Sequence, residues 1–148
     1  MLITGFFLLK GNFSGEQIAN QQLLKNVDIT VYKSPTCGCC GKYIAYLKNN
    51  GANVIVEETE EMNAIKTKYN IPSLLESCHT SVIGDYVVEG HVPVEAIRRL
   101  LDEKPLIAGI SLPEMPAGSP GMGGTKLVPF GIHTITIDGN DGGIFIEV

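Results

Sequence analysis

Three of the four cysteines fall within four consecutive positions, Cys37-Gly38-Cys39-Cys40, directly after a strand-like stretch that ends at Ser34-Pro35. Sulfurs packed this closely are a poor way to cross-link distant segments, so the spacing speaks for chemistry rather than scaffolding. A strand, a short turn and a C-x-x-C at the start of a helix bring the first thiol to free backbone N–H groups and to the positive end of the helix dipole. Both favour thiolate over thiol. A thiolate is the nucleophile of disulfide exchange and also a soft metal ligand, and the motif alone does not choose between them. The bland alternative, buried inert cysteines, fits poorly with a Gly-punctuated helix start.

The surrounding periodicity defines the fold that would carry such a site. Ile29 and Val31 alternate with Thr30 and Tyr32, which predicts a strand over Asp28–Lys33. Tyr43, Ile44, Tyr46 and Leu47 at helical spacing predict a helix that starts at the thiols and stops at Asn49-Asn50-Gly51. Asn53–Glu57 reads as a second strand, and Thr59–Tyr69 as a helix broken by Asn70-Ile71-Pro72. Ser81–Ile83 and Tyr86–Val88 flank Gly84-Asp85 as a tight hairpin. Pro93 suits a first helical position, and Val94, Ile97, Leu100 and Leu101 form an apolar stripe up to Pro105. The order β-α-β-α-β-β-α is that of thioredoxin.

The expectation is therefore an α/β fold: a thioredoxin-like mixed sheet flanked by helices over 27–105. Residues 106–148 would add a Met-containing loop and a β-hairpin, with strands at Ile132–Ile137 and Ile144–Val148, packed on the same domain. A loop as long as Leu112–Lys126 with no structure of its own is uncommon and often functional. Residues 1–26 form an N-terminal segment in which Ser14-Gly15-Glu16-Gln17 has the form of a capping box for a short helix through Lys25. Met1–Leu9 is apolar but too short to span a bilayer and lacks a basic start. It reads either as the stump of a trimmed membrane anchor or as a strand packed on the domain, and membrane association is expected only in the first case. With 148 residues, 44% hydrophobic and 18% charged, one folded domain is the natural reading. A net charge of −5 without a basic stretch argues against nucleic acid as a partner.

The second half of the constellation is Cys78-His79-Thr80, immediately before the hairpin. In thioredoxin-like proteins this strand usually opens with an X-cis-Pro pair that packs on the C-x-x-C sulfurs. Here His79 or Thr80 stands where that proline would be, which brings Cys78 within reach of Cys37 and Cys40. Proline cannot ligate, whereas Cys and His can, so Cys37, Cys40, Cys78 and His79 form a candidate tetrahedral metal set. A competing alignment takes Pro72 as the proline and would carry Cys78 roughly 20 Å away along an extended strand; the Gly84-Asp85 hairpin spacing favours the first. Cys39 is the doubtful member of the cluster, because adjacent helical residues project in different directions. His91 before Pro93 is a weaker candidate, as are Met115 and Met122 in the Gly/Pro loop. Their thioethers would tilt the metal from zinc toward Cu(I). His133 reads as a surface residue. If the site is instead an enzyme's, Cys37 attacks and Cys40 resolves in a thiol-disulfide oxidoreductase or isomerase.

At Cys37-Gly38-Cys39-Cys40, Ser77-Cys78-His79-Thr80, Val88-Glu89-Gly90-His91-Val92-Pro93 and Met115-Pro116-Ala117-Gly118-Ser119-Pro120-Gly121-Met122, the chain resembles the family called domain of unknown function 411. The resemblance spans about Ile29–Phe130. It implies a thioredoxin-like, predicted metal-binding protein that is commonly exported and linked to copper handling. The expectations are thus a copper(I) or zinc ion, no organic cofactor, and a metal-handling or delivery role. A cuproprotein or a disulfide-bonded client would be the protein partner, in an extracytoplasmic or membrane-anchored setting; the leader before Ser14 departs from the exported pattern and leaves a cytoplasmic one open.

Overall fold

A computed structural model describes residues 22–148, which build one seven-stranded mixed sheet with three helices. The elements are β1 (Asp28–Lys33), α1 (Gly38–Asn49), β2 (Asn53–Glu58), α2 (Met62–Lys68), a 3₁₀ turn at Ser73–Leu75, β3 (His79–Ile83), β4 (Tyr86–Glu89), α3 (Val94–Glu103), β5 (Gly109–Ser111), β6 (Gly131–Ile135) and β7 (Asp141–Glu147). The strand order is β2-β1-β3-β4-β5-β6-β7. β1 and β2 pair in parallel through the α1 crossover, β4 and β5 in parallel through α3, and every other neighbouring pair is antiparallel. The expected β-α-β-α-β-β-α order is present over Asp28–Glu103. The predicted Ser14–Lys25 helix and the Met1–Leu9 segment fall mostly or wholly outside the described residues; Leu23–Asn26 form a turn.

Period-two alternation sorts the strand residues onto two faces. On one face Ile29, Val31, Ile83, Val88, Ile110 and Ile132 meet Tyr43, Ile44 and Leu47 of α1 and Val94, Ala96, Ile97 and Leu100 of α3. On the other, Val87 and Ile135 meet Ile71 and Leu75 below α2. Each fully buried aliphatic side chain contributes about 1.5–3 kcal/mol, so the larger face, which carries α1, supplies most of the rigidity under the thiols. Among the described residues no helix is long and apolar enough to cross a membrane.

Several boundaries differ from the sequence expectation. α2 starts at Met62 rather than Thr59, because Thr59 Oγ accepts the Glu61 N–H at 3.0 Å and holds 59–61 in a turn. Pro93 is the residue before α3 rather than its first, its fixed φ of −62° combining with an extended ψ of 145°. The hairpin is as expected, with Gly84 taking the positive φ of +58° that a two-residue turn needs at its first position. β5 was absent from the expectation. It is three residues long, too short for periodicity to register, and is held by its parallel pairing to β4. β6 ends earlier and β7 begins earlier than predicted, because Thr136 Oγ accepts from Asn140 N–H at 2.9 Å and closes the turn between them.

Candidate metal centre

The β1–β3 register decides which alignment of the second half-site is correct. Lys33 at the end of β1 faces His79, and Tyr32 faces Thr80, so Cys78-His79 opens β3 beside the start of α1. Pro72 belongs to the turn before Ser73–Leu75 and takes no part in β3. Cys37 is the N-cap of α1, a position that ordinarily favours Ser, Thr, Asp or Asn, and no side chain among the described residues caps this helix end. The first turn contains no acidic residue, so its free N–H groups and dipole face the sulfurs unopposed.

Cys37 and Cys40 are joined by a disulfide, while Cys39 and Cys78 are free and half-buried. Cys39 Sγ lies 3.6 Å from Cys37 Sγ and 3.8 Å from Cys78 Sγ, and Cys78 Sγ lies 3.9 Å from Cys40 Sγ. All four ligand atoms fall within 4.8 Å of one another. The Cys39 sulfur therefore does reach the point shared by the other three. Adjacent helical residues diverge inside a helix, but here the helix has only begun and Cys78 sits off its end, where the first-turn side chains converge.

Cys78 Sγ is also 3.2 Å from His79 Nδ1 and 3.1 Å from His91 Nε2, and these three form a second set of ligand atoms within 4.8 Å. His91 is fully buried, and its Nδ1 lies 2.7 Å from the Pro120 carbonyl. A carbonyl only accepts, so Nδ1 carries the proton and the Nε2 lone pair faces Cys78. This is the arrangement by which an outer partner orients a metal-binding imidazole. The partner comes from the long loop. Met122 N–H donates to Ser119 O at 2.9 Å and Gly121 has φ +81°, the pattern of a type II turn with Pro120 and Gly121 at its centre. Gly121 packs so tightly on α1 that a Cβ there would stand 2.7 Å from Tyr43 N.

Tyr43 forms the floor. Its ring centre is 4.6 Å from that of His79 and 5.3 Å from that of His91, and its hydroxyl donates to Val92 O at 2.7 Å. Burial under this layer drives the electrostatics. The Cys78 thiol is pushed up to about 12, first by burial and then by Cys39 beside it. His79 is pushed down to about 3 by burial, by His91 and by the Lys66 ammonium. Burial also lowers His91, against the Pro120 hydrogen bond. Both imidazoles are therefore neutral near pH 7, the form that ligates.

The donor geometry suits a tetrahedral soft-metal site. With metal–sulfur bonds near 2.3 Å, tetrahedral ligands stand about 3.8 Å apart, and the Cys37–Cys39, Cys39–Cys78 and Cys40–Cys78 sulfur pairs stand 3.6–3.9 Å apart, while Cys37 and Cys40 are bonded to each other and would have to separate on reduction. His79 presents Nδ1 to Cys78 Sγ, and its other ring nitrogen, Nε2, is buried with no hydrogen-bond partner among the described residues. Of the remaining candidates, Met115 is 47% exposed and Met122 half-buried. The loop's visible contribution is the Pro120 carbonyl, which residue types alone do not reveal. His133 pairs with Asp141 at 3.1 Å on the far hairpin, away from the thiols in sequence and strand order.

A family model described as protein of unknown function, DUF411, matches residues 75–122, which hold Cys78, His79, His91 and the Ser119–Met122 turn. Comparison with curated proteins gives no match. Two solved structures named copper resistance protein CopG, forms 1 and 2, are each 34% identical to the chain. They cover 84% of it and 98% and 99% of their own length, with TM-scores of 0.75 and 0.76. At that identity and coverage, and with the family motif placed at the second half of the site, the chain belongs to the DUF411 family.

Proposed function

We propose that this protein binds copper(I) in a copper-handling or delivery role, on a thioredoxin-like scaffold. Cys37, Cys39, Cys40 and Cys78 supply thiolates, and His79 and His91 supply neutral imidazoles. The observation that carries the reading is Cys78 Sγ, within 4 Å of two other cysteine sulfurs and about 3 Å from two imidazole nitrogens, one of them oriented by a backbone carbonyl. Sulfur-rich, soft donors favour Cu(I) over harder ions, and zinc in the same set is the near alternative. Similarity to proteins named for copper resistance supports the choice. The Cys37–Cys40 disulfide must be reduced before those two sulfurs can ligate, so full capacity belongs to the reduced protein. The test is competition of the reduced protein against a Cu(I) chelator. A Cys37/Cys40/Cys78 triple serine variant should lose binding, and an unchanged affinity in that variant would sink the idea.

One observation favours a second activity, a thiol-disulfide oxidoreductase: Cys37 and Cys40 are bonded at the uncapped start of α1. Cys37 would attack a client disulfide and Cys40 would resolve the mixed disulfide. Insulin reduction by the metal-free, reduced protein measures it, and no turnover rejects it. A disulfide of this kind persists best in an oxidising compartment, which supports the extracytoplasmic setting.

A further inference from the structure

Glu89, the last residue of β4, is fully buried, and its carboxylate collects donors from three separate segments. Lys66 of α2, also buried, forms an ion pair with it through Nζ. The Ser77 N–H donates to Oε1 at 2.7 Å, and the Thr80 hydroxyl donates to Oε2 at 2.6 Å. Ser77 and Thr80 bracket Cys78 and His79, and Glu89 itself stands two residues before His91. The backbone repeats the link: Gly90 N–H donates to His79 O at 3.0 Å, and Leu112 N–H to Glu89 O at 3.1 Å.

We propose that Glu89, with Lys66 as its counter-ion, is a positioning residue that holds Cys78 and His79 in register with His91. The inference rests on the copper-binding reading above. Stability alone does not account for the pair. Burying an ammonium and a carboxylate costs several kcal/mol of hydration each, and an apolar pair of similar volume is often as stable or more so. An ionised carboxylate, however, offers about four acceptor sites on two oxygens and donates nothing, so it can gather an N–H, an O–H and an ammonium at one point. An apolar pair cannot join α2, the segment before β3 and β3 itself at the root of the ligand set.

Two double variants separate hydrogen bonding from charge. Lys66→Met/Glu89→Gln and Lys66→Met/Glu89→Leu both remove the buried charges, but only the glutamine keeps an acceptor for Ser77 N–H and a polar partner for Thr80. Folding is followed by circular dichroism and thermal melting. Cu(I) affinity is measured by competition with bicinchoninate, and the metal-free imidazoles by long-range proton–nitrogen NMR. The glutamine double variant should bind Cu(I) at near wild-type affinity. The leucine double variant should melt cooperatively yet lose about 10–100-fold in affinity, with shifted His79 and His91 resonances. Wild-type affinity in the leucine variant would overturn the proposal, as would equal losses in both. Should the leucine variant not fold, Thr80→Val removes one donor alone, with a loss of about tenfold expected and no loss overturning the idea. If the wild-type protein itself fails to take Cu(I) from the chelator, the functional reading falls. The imidazole resonances of the metal-free variants then still decide the positioning role, unshifted signals in the leucine variant refuting it.

Discussion

Replacing Gly121 by alanine links the long loop to the ligand set through two separate effects. A non-glycine residue at the Gly121 φ of +81° costs roughly 1–2 kcal/mol. The added methyl would also stand 2.7 Å from Tyr43 N and 3.0 Å from Tyr43 Cα, atoms of the α1 backbone that cannot swing aside as a side chain would. Relieving that overlap typically costs about 1–3 kcal/mol. Together they lower stability by about 2–5 kcal/mol, or roughly 5–15 °C in melting temperature for a chain of this size. The cheapest relief is to lift the Ser119–Met122 turn off α1, which draws the Pro120 carbonyl away from His91 Nδ1 and frees the imidazole to rotate or change tautomer. Cu(I) affinity should then fall by about 10–100-fold. Gly123→Ala is the control, since a Cβ there meets nothing within 4 Å among the described residues, and it should stay within about 0.5 kcal/mol of wild type. Both variants are melted metal-free and reduced, then competed against a Cu(I) chelator. Equal behaviour of the two in both assays would refute the packing argument and the orienting role of Pro120.

Metal-free stability should fall as pH drops below about 6.5, because unfolded His79 then takes up a proton that the folded imidazole, held at about 3, refuses. The loss from His79 alone is about 2 kcal/mol between pH 6.5 and 5. His91 adds to it in the same direction, while Glu89, raised by burial, offsets part of it near the acid end. Urea unfolding at each pH gives the curve, and a flat profile over that window would contradict the buried neutral imidazoles. Cu(I) affinity should rise with pH through the neutral range, by one logarithmic unit per pH unit for each proton displaced; the Cys78 thiol, at about 12, contributes one throughout. The slope for Cys78→Ser should be smaller by one proton, and an unchanged slope would remove Cys78 from the ligand set.

What the residues disclosed and what they concealed divide along a physical line. Local periodicity carried β1, β3, β4 and the helices α1 and α3, since each buries an apolar face whose spacing is written in consecutive residues, whereas β2, read from its Val-Ile-Val run, lies at the sheet edge with Ile55 and Val56 exposed. The Gly84-Asp85 hairpin then propagated that reading into the site: once β3 and β4 are in register, Cys78 must open β3 beside Cys37–Cys40. The three-residue β5 was hidden because its place depends on a partner strand, not on its own pattern. The surroundings of His91 were hidden for a related reason. Its ring is oriented by the carbonyl of Pro120, 29 residues away, and a backbone atom leaves no mark in residue type. The one local trace was the Ser119-Pro120-Gly121-Met122 order, which encodes a type II turn. The position of the Cys39 sulfur was hidden because Cys78, which it meets at 3.8 Å, lies 39 residues away beyond the helix end. Glu89 shows the same limit from the other side. The donors to its buried carboxylate, Lys66, Ser77 and Thr80, come from elsewhere in the chain, and no local pattern around Glu89 announces them.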